Sequence, residues 1–188
     1  MSIYNIVLFL HVIGAIGYFI GIGIWLSGFV GMRRAQRVEQ VRTLVNLIGL
    51  TGPLFGISVL FILAAGLYMA FTAWSLLTGW ILVALIALII MAPLGTVLIE
   101  QRRRVITRLA QEAPDGSLPE SLKQRIHDPV LSTSLQTVAA LLLGIVFLMI
   151  TKPELIGSLI VMAIALVIGL ASGLLVLRAS RTQMQPAR

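Results

Sequence analysis

The sequence contains no cysteine, and only 11% of its residues are charged. Without cysteine, the chain can form no disulfide, thiolate metal site or cysteine nucleophile. The few charged residues flank the long apolar stretches, so no Asp, Glu, Lys or Arg is predicted in the middle of a membrane span. This argues against an ion-coupled pump that relays ions through intramembrane carboxylates. No phosphate loop, metal-binding helix motif or hydrolase elbow is present in the sequence.

Apolar residues dominate instead, at 59% of the chain, and the mean hydropathy is +1.03. Uncharged stretches run from Met1 to Met32 and from Thr43 to Ile99. Each is longer than the about 20 residues that one transmembrane helix needs. We therefore predict an integral membrane protein with a single domain over residues 1–188. The net charge of +7 comes from basic residues beside the spans, which favours a role in orientation over nucleic-acid binding.

Turn residues and charged segments divide the chain into five predicted spans. These cover residues 3–32, 44–71, 78–99, 129–151 and 155–177, with a cytoplasmic loop at residues 100–128. Trp74 and Trp80 mark a membrane interface between the second and third spans. Pro53 and Pro93 should each kink a span, because proline removes an intrahelical hydrogen bond. The predicted fold class is all-α, a polytopic transmembrane helical bundle.

Capping patterns set the helix boundaries around the polar loop. Ser117 and Glu120 form a capping-box pattern for a short helix that ends near Ile126. Asp128 followed by proline is a good N-cap for the fourth span. A tight turn at residues 152–154 should then lead into the fifth span.

The distribution of basic residues predicts the orientation. Thirteen of the 14 lysines and arginines lie in residues 33–42, in residues 102–125 or after Leu177, and only Lys152 falls on the other side. Basic residues concentrate on the cytoplasmic side of membrane proteins. We therefore expect the N-terminus outside and the C-terminus in the cytoplasm, in a bacterial inner membrane.

One histidine and a row of glycines share a face of the first span. At about 100° per residue, this face contains His11, Gly14, Gly17, Tyr18, Gly21, Trp25 and Gly28. The simpler interpretation is helix packing, with His11 hydrogen-bonded to a neighbouring helix. The alternative is that haem b lies against the glycines, with His11 as axial ligand to its iron.

A second axial ligand would have to lie at the depth of His11. Met162 on the fifth span lies at a similar predicted depth, and methionine can ligate haem iron. The alternative role of Met162 is to fill a gap between helices. His127 lies beside the inner face, so it should be solvated and cannot share one haem with His11 in a monomer.

Hydroxyl and amide side chains cluster in the inner half of the predicted membrane. They include Asn46, Thr51 and the polar positions of residues 132–137. Hydrogen bonds between helices explain such a cluster most simply. A small cytoplasmic-facing cavity for water or a substrate is the alternative.

Short motifs in the first half of the chain resemble known membrane families. Phe9–Gly14, followed by Gly17 and Gly21, resembles the first helix of HemJ-type protoporphyrinogen oxidases and copper-resistance-D-like proteins. Ala65–Leu67 and Gly79–Leu82 are similar to their second and third helices. The layout also resembles an uncharacterised bacterial family of predicted integral membrane proteins.

This resemblance implies that His11 matches a haem-ligating histidine. One position departs from the HemJ pattern: Ala84 stands where those proteins place a lysine after the Gly-Trp pair. The departure argues against protoporphyrinogen oxidation but not against haem binding.

Two classes of function follow from these observations. The first is electron transfer or oxidoreduction through haem b, between a quinone and a partner at the outer face. The second is a non-redox role, as a small permease or as an assembly subunit of a membrane complex. A homo-oligomer or a larger membrane complex fits both classes, and His11 is the residue that separates them.

Overall fold

The computed structural model describes residues 2–183, and within this range the chain is helical and contains no strand. The helices are α1 (Ile3–Arg34), α2 (Val38–Gly49), α3 (Thr51–Ala73), α4 (Gly79–Pro93), α5 (Gln101–Glu112), α6 (Glu120–Ile126), α7 (Pro129–Thr151) and α8 (Leu155–Gln183). A π-helix, Leu94–Glu100, connects α4 to α5. The all-α prediction is therefore confirmed.

Among residues 2–183, five helical stretches are long and apolar enough to cross a membrane, as predicted. They are Ile3–Arg34, Val38–Ala73, Gly79–Glu112, Glu120–Thr151 and Leu155–Gly173. Helices of this kind contact the lipid bilayer, because their apolar side chains have no other favourable solvent. The orientation of the termini stays a prediction, and Arg188, which contributes to it, lies outside the described residues.

The chain divides into two compact units, each made of two separate stretches. The first comprises Met1–Leu76 and Val105–Ile126, and the second comprises Leu77–Arg104 and His127–Arg188. The expectation of a single membrane domain over residues 1–188 stays a prediction.

In the first unit, α1 packs against α2, α3 and α6. Helix α2 is amphipathic, and its apolar positions Val38, Val41, Val45 and Ile48 are all buried. Their spacing of three and four residues places them on one face of the helix. The N-terminus of α2 is capped by Gln40, whose side-chain oxygen accepts hydrogen bonds from the backbone N–H groups of residues 36 and 37.

The second predicted span is interrupted near Pro53, but not at it. Helix α2 ends at Gly49, and α3 begins at Thr51, so Pro53 lies in the first turn of the new helix. A proline at position 53 cannot donate a hydrogen bond to the carbonyl of Gly49. The interruption therefore falls at Leu50, one turn before the position at which we predicted a kink.

In the second unit, α7 packs along α8, and α4 contacts both of them. Pro93 is the last residue of α4 and is followed directly by the seven-residue π-helix. Proline lacks an N–H and its ring clashes with the carbonyl one turn earlier, so the regular hydrogen bonding of α4 is interrupted here. The predicted irregularity at Pro93 is therefore a π-helix.

Three helix ends were predicted from capping and turn residues, and the structure agrees with two of them. The Asp128 carboxylate accepts a hydrogen bond from Val130 N at 2.8 Å and so caps α7. Lys152 has a φ of 48°, a left-handed conformation that terminates α7. The capping box at Ser117 is wrong, because α6 begins at Glu120 and its first turn closes on the carbonyl of Pro119.

Candidate functional site

His11 lies on α1 with its imidazole directed at α3. Its Nδ1 is 2.9 Å from the backbone carbonyl oxygen of Ile62. A carbonyl oxygen can only accept a hydrogen bond, so Nδ1 must carry the proton. The neutral ring then presents a lone pair at Nε2.

Gly66, one helical turn after Ile62, provides the space for the imidazole. A Cβ at this position would lie 3.1 Å from His11 Cε1 and 3.2 Å from His11 Nδ1. Both distances are shorter than an ordinary carbon contact of about 3.5–4.0 Å. The ring therefore lies directly against the backbone of α3.

The glycines that follow His11 on α1 also face α3. A Cβ would lie 2.9 Å from Phe61 Cβ at Gly14, 2.5 Å from Ser58 Oγ at Gly17, and 2.7 Å from the Phe55 ring at Gly21. Side chains of α3 thus occupy the space beside all three glycines. These contacts are those of helix packing. Use of the glycine face by a macrocycle, which would have to replace these side chains, stays a prediction.

Aromatic side chains continue this interface along α1. Tyr18 and Trp25 both make edge-to-face contacts with Phe55, at centroid distances of 4.9 Å and 5.8 Å. The indole N–H of Trp25 donates to Thr51 Oγ1 at 2.7 Å. Thr51 therefore forms a hydrogen bond between α1 and α3. This agrees with the simpler interpretation of the polar cluster.

The polar positions of residues 132–137 lie in the second unit. Thr137 is 5% exposed, and its hydroxyl has no hydrogen-bond partner among the described residues. The backbones of Thr133 and Thr137 approach Gly173 and Gly169 of α8. In this part of the polar cluster, α7 and α8 are therefore closely packed.

Met162 belongs to the second unit, whereas His11 belongs to the first. The Met162 sulfur faces Gly144, where a Cβ would lie 3.1 Å from it. In this position Met162 fills a gap between helices, which was the alternative interpretation of this residue. The role of Met162 as an axial ligand stays a prediction.

His127 lies in the short turn between α6 and α7, and its solvation beside the inner face stays a prediction. In the part of the chain that the structure describes, no three His, Asp or Glu side chains come together as a metal site. The role of His11 as an axial ligand stays a prediction.

Sequence reasoning did not identify the two groups of α3 that hold His11. The Ile62 carbonyl is part of the backbone and has no signature in the sequence. Gly66 did have a signal, since it is the centre of the Ala65–Leu67 motif, but its proximity to His11 requires the pairing of α1 with α3.

Comparison with known proteins gives a family for this chain. A family model described as "Predicted integral membrane protein (DUF2269)" matches residues 5–153. No curated protein and no solved structure matches the chain. The match begins within the first turn of α1, includes α3 and extends through α7. The resemblance to HemJ-type and copper-resistance-D-like proteins stays a prediction, whereas the extent of the family match shows that the chain belongs to the DUF2269 family of predicted integral membrane proteins.

Proposed function

We propose that this protein binds haem b through Nε2 of His11 and transfers electrons within the membrane. The observation that carries the proposal is the hydrogen bond between His11 Nδ1 and the Ile62 carbonyl. It fixes the neutral tautomer whose free lone pair is at Nε2. Histidines that ligate metals commonly donate their other ring N–H to a backbone carbonyl in this way.

The cost of a histidine in a membrane span supports the same proposal. Ionisable side chains are rare in transmembrane helices and are functional candidates by default. The proposal assigns the iron ligand to His11 and its orientation to Ile62. Gly14, Gly17 and Gly21 are not required for it, because α3 fills the space beside them.

Bound haem would supply one-electron redox chemistry to the site. The chain's own contribution is a fixed imidazole, set within apolar helices that exclude water. A membrane quinone is the partner class that we propose, because it reaches such a site from within the bilayer. The bacterial inner membrane is the location that we propose with it.

The packing of the glycines favours a second candidate function. Helix α3 covers the glycine face of α1, and His11 can be regarded as a satisfied polar residue between two helices. In that case the protein is a non-redox membrane protein, either a small permease or an assembly subunit of a larger complex.

Purification after expression with ample haem separates the two candidates. The full chain in mild detergent should show a Soret band that shifts on reduction, with iron content proportional to protein. His11→Ala should remove the band, because the proposed axial ligand is lost, while the variant still inserts and remains monodisperse.

His127→Ala is the matched control, since it removes the other histidine of the chain. Its Soret band should equal that of the wild type. Met162→Leu tests the proposed second ligand, because loss of the thioether should shift the absorption bands and the potential. A colourless wild-type protein that also fails to bind added hemin would rule out the haem function and leave the non-redox candidate.

A further inference from the structure

We propose that Gly66 is a positioning residue for His11: the absence of a side chain there lets the imidazole lie against α3, within reach of the Ile62 carbonyl. This inference deepens the proposed function, on which its haem-dependent part rests. Its structural part concerns the tautomer of His11 and can be tested without haem.

The geometry on α3 is specific to this glycine. The imidazole meets the position of a Gly66 Cβ at 3.1 Å and 3.2 Å, through its Cε1 and Nδ1 atoms. Gly56, on the same helix, has no heavy atom within 4 Å of the corresponding position, and neither does Gly52. The need to leave space for a neighbouring side chain therefore explains why residue 66 is glycine. It does not explain the glycines at positions 52 and 56.

An added methyl group should act on the hydrogen bond and not only on packing. The ring would have to move away from α3 by a few tenths of an ångström, and Nδ1 is one of the two ring atoms nearest the added methyl group. The hydrogen bond to Ile62 is 2.9 Å long, so this displacement lengthens it towards the limit of hydrogen bonding. Without the carbonyl, nothing described around the ring selects the tautomer with a proton on Nδ1.

Histidine nitrogen NMR of the haem-free full chain tests the structural part. Selective ¹⁵N labelling should show His11 of the wild type with Nδ1 protonated and Nε2 unprotonated. Gly66→Ala should give a mixture of tautomers or exchange-broadened His11 signals, and Gly66→Val a larger change. Gly56→Ala, the matched control, should leave the signals as in the wild type, and His11→Ala assigns them.

Hemin titration tests the functional part. Substitutions that disturb the hydrogen bond to a metal-ligating histidine weaken metal affinity about 10–100-fold. Gly66→Ala should therefore bind hemin about 10-fold more weakly or more, with a shifted reduction potential, whereas Gly56→Ala should match the wild type.

The outcomes separate this inference from the proposed function. A change of tautomer in Gly66→Ala with no hemin binding by any variant upholds the positioning role and overturns the haem function. Hemin binding with identical tautomer, affinity and potential in Gly66→Ala and wild type overturns the positioning role alone. Unchanged His11 signals in Gly66→Ala and Gly66→Val overturn it whether or not haem binds.

Discussion

Arg42 is the residue that joins α2 to the end of α5. Its guanidinium donates hydrogen bonds to the carbonyl oxygens of Ala110 and Ala113 and to the Asp115 carboxylate. The last carbonyls of a helix have no partner within the helix, and a cation beside them also interacts favourably with the helix dipole. One side chain therefore satisfies two backbone acceptors and holds the turn after α5.

Arg42→Ala should loosen this turn. Hydrogen bonds to charged groups contribute about 1.5–3 kcal/mol, and the two carbonyls would lose their donor. We expect faster amide hydrogen exchange at residues 113–117 and at Val38, whose N–H donates to Gly116 O. Exchange measured by mass spectrometry on the chain in lipid nanodiscs checks this.

Arg108→Ala is the matched control, because Arg108 pairs with Glu112 on the same helix but is 79% exposed. Exposed ion pairs contribute about 0–1 kcal/mol. Exchange in this variant should stay close to that of the wild type, and an equal effect of the two substitutions would show that Arg42 does not hold the turn.

At the scale of the helix, two glycines of α8 that lie one turn apart allow α8 to pack closely against α7. A Cβ at Gly169 would lie 2.6 Å from Thr137 Cα, and one at Gly173 would lie 2.7 Å from Thr133 Cα. These neighbours are backbone atoms, which cannot move aside as a flexible side chain can. Such a spacing of small residues lets membrane helices approach closely.

Gly169→Ala should separate α7 from α8. Overpacking of a close contact costs about 1–3 kcal/mol, and a clash with backbone belongs at the upper end of that range. Chemical or thermal unfolding in detergent should show this loss of stability. Gly52→Ala is the control, since nothing lies within 4 Å of its Cβ position. Equal stability of the two variants would mean that this contact does not hold α7 and α8 together.

For the whole molecule, the main prediction is the orientation of the chain in the membrane, and cysteine labelling can test it. The chain has no cysteine, so a single introduced cysteine can be labelled without background. Cysteine replacing Ser75 or Glu154 should react with a membrane-impermeant reagent in intact cells, because the positive-inside rule places both outside. Cysteine replacing Ser117 should react only after lysis. Labelling at Ser117 in sealed cells would reverse the predicted orientation.

The sequence by itself determined the class of the protein and most helix boundaries. Uncharged stretches of sufficient length can satisfy their backbone hydrogen bonds in lipid only as helices, so these stretches and the turn residues that divide them implied five spans. The N-cap at Asp128 and the turn at Lys152 followed from local chemistry, because neither requires a contact with a distant residue. The capping box at Ser117 failed for the opposite reason: residues 116 and 117 lie beside residues 37 and 38 of the chain.

Only the tertiary structure decided what surrounds His11. Its position on a glycine-rich face could be calculated from the helical repeat. The partner of its Nδ1, however, is a backbone carbonyl 51 residues away, and no side-chain pattern identifies a carbonyl. The glycines of α1 could likewise have faced lipid, a cofactor or another helix. The pairing of α1 with α3 fixes which of these they contact, because close packing depends on shapes that meet only after the chain has folded.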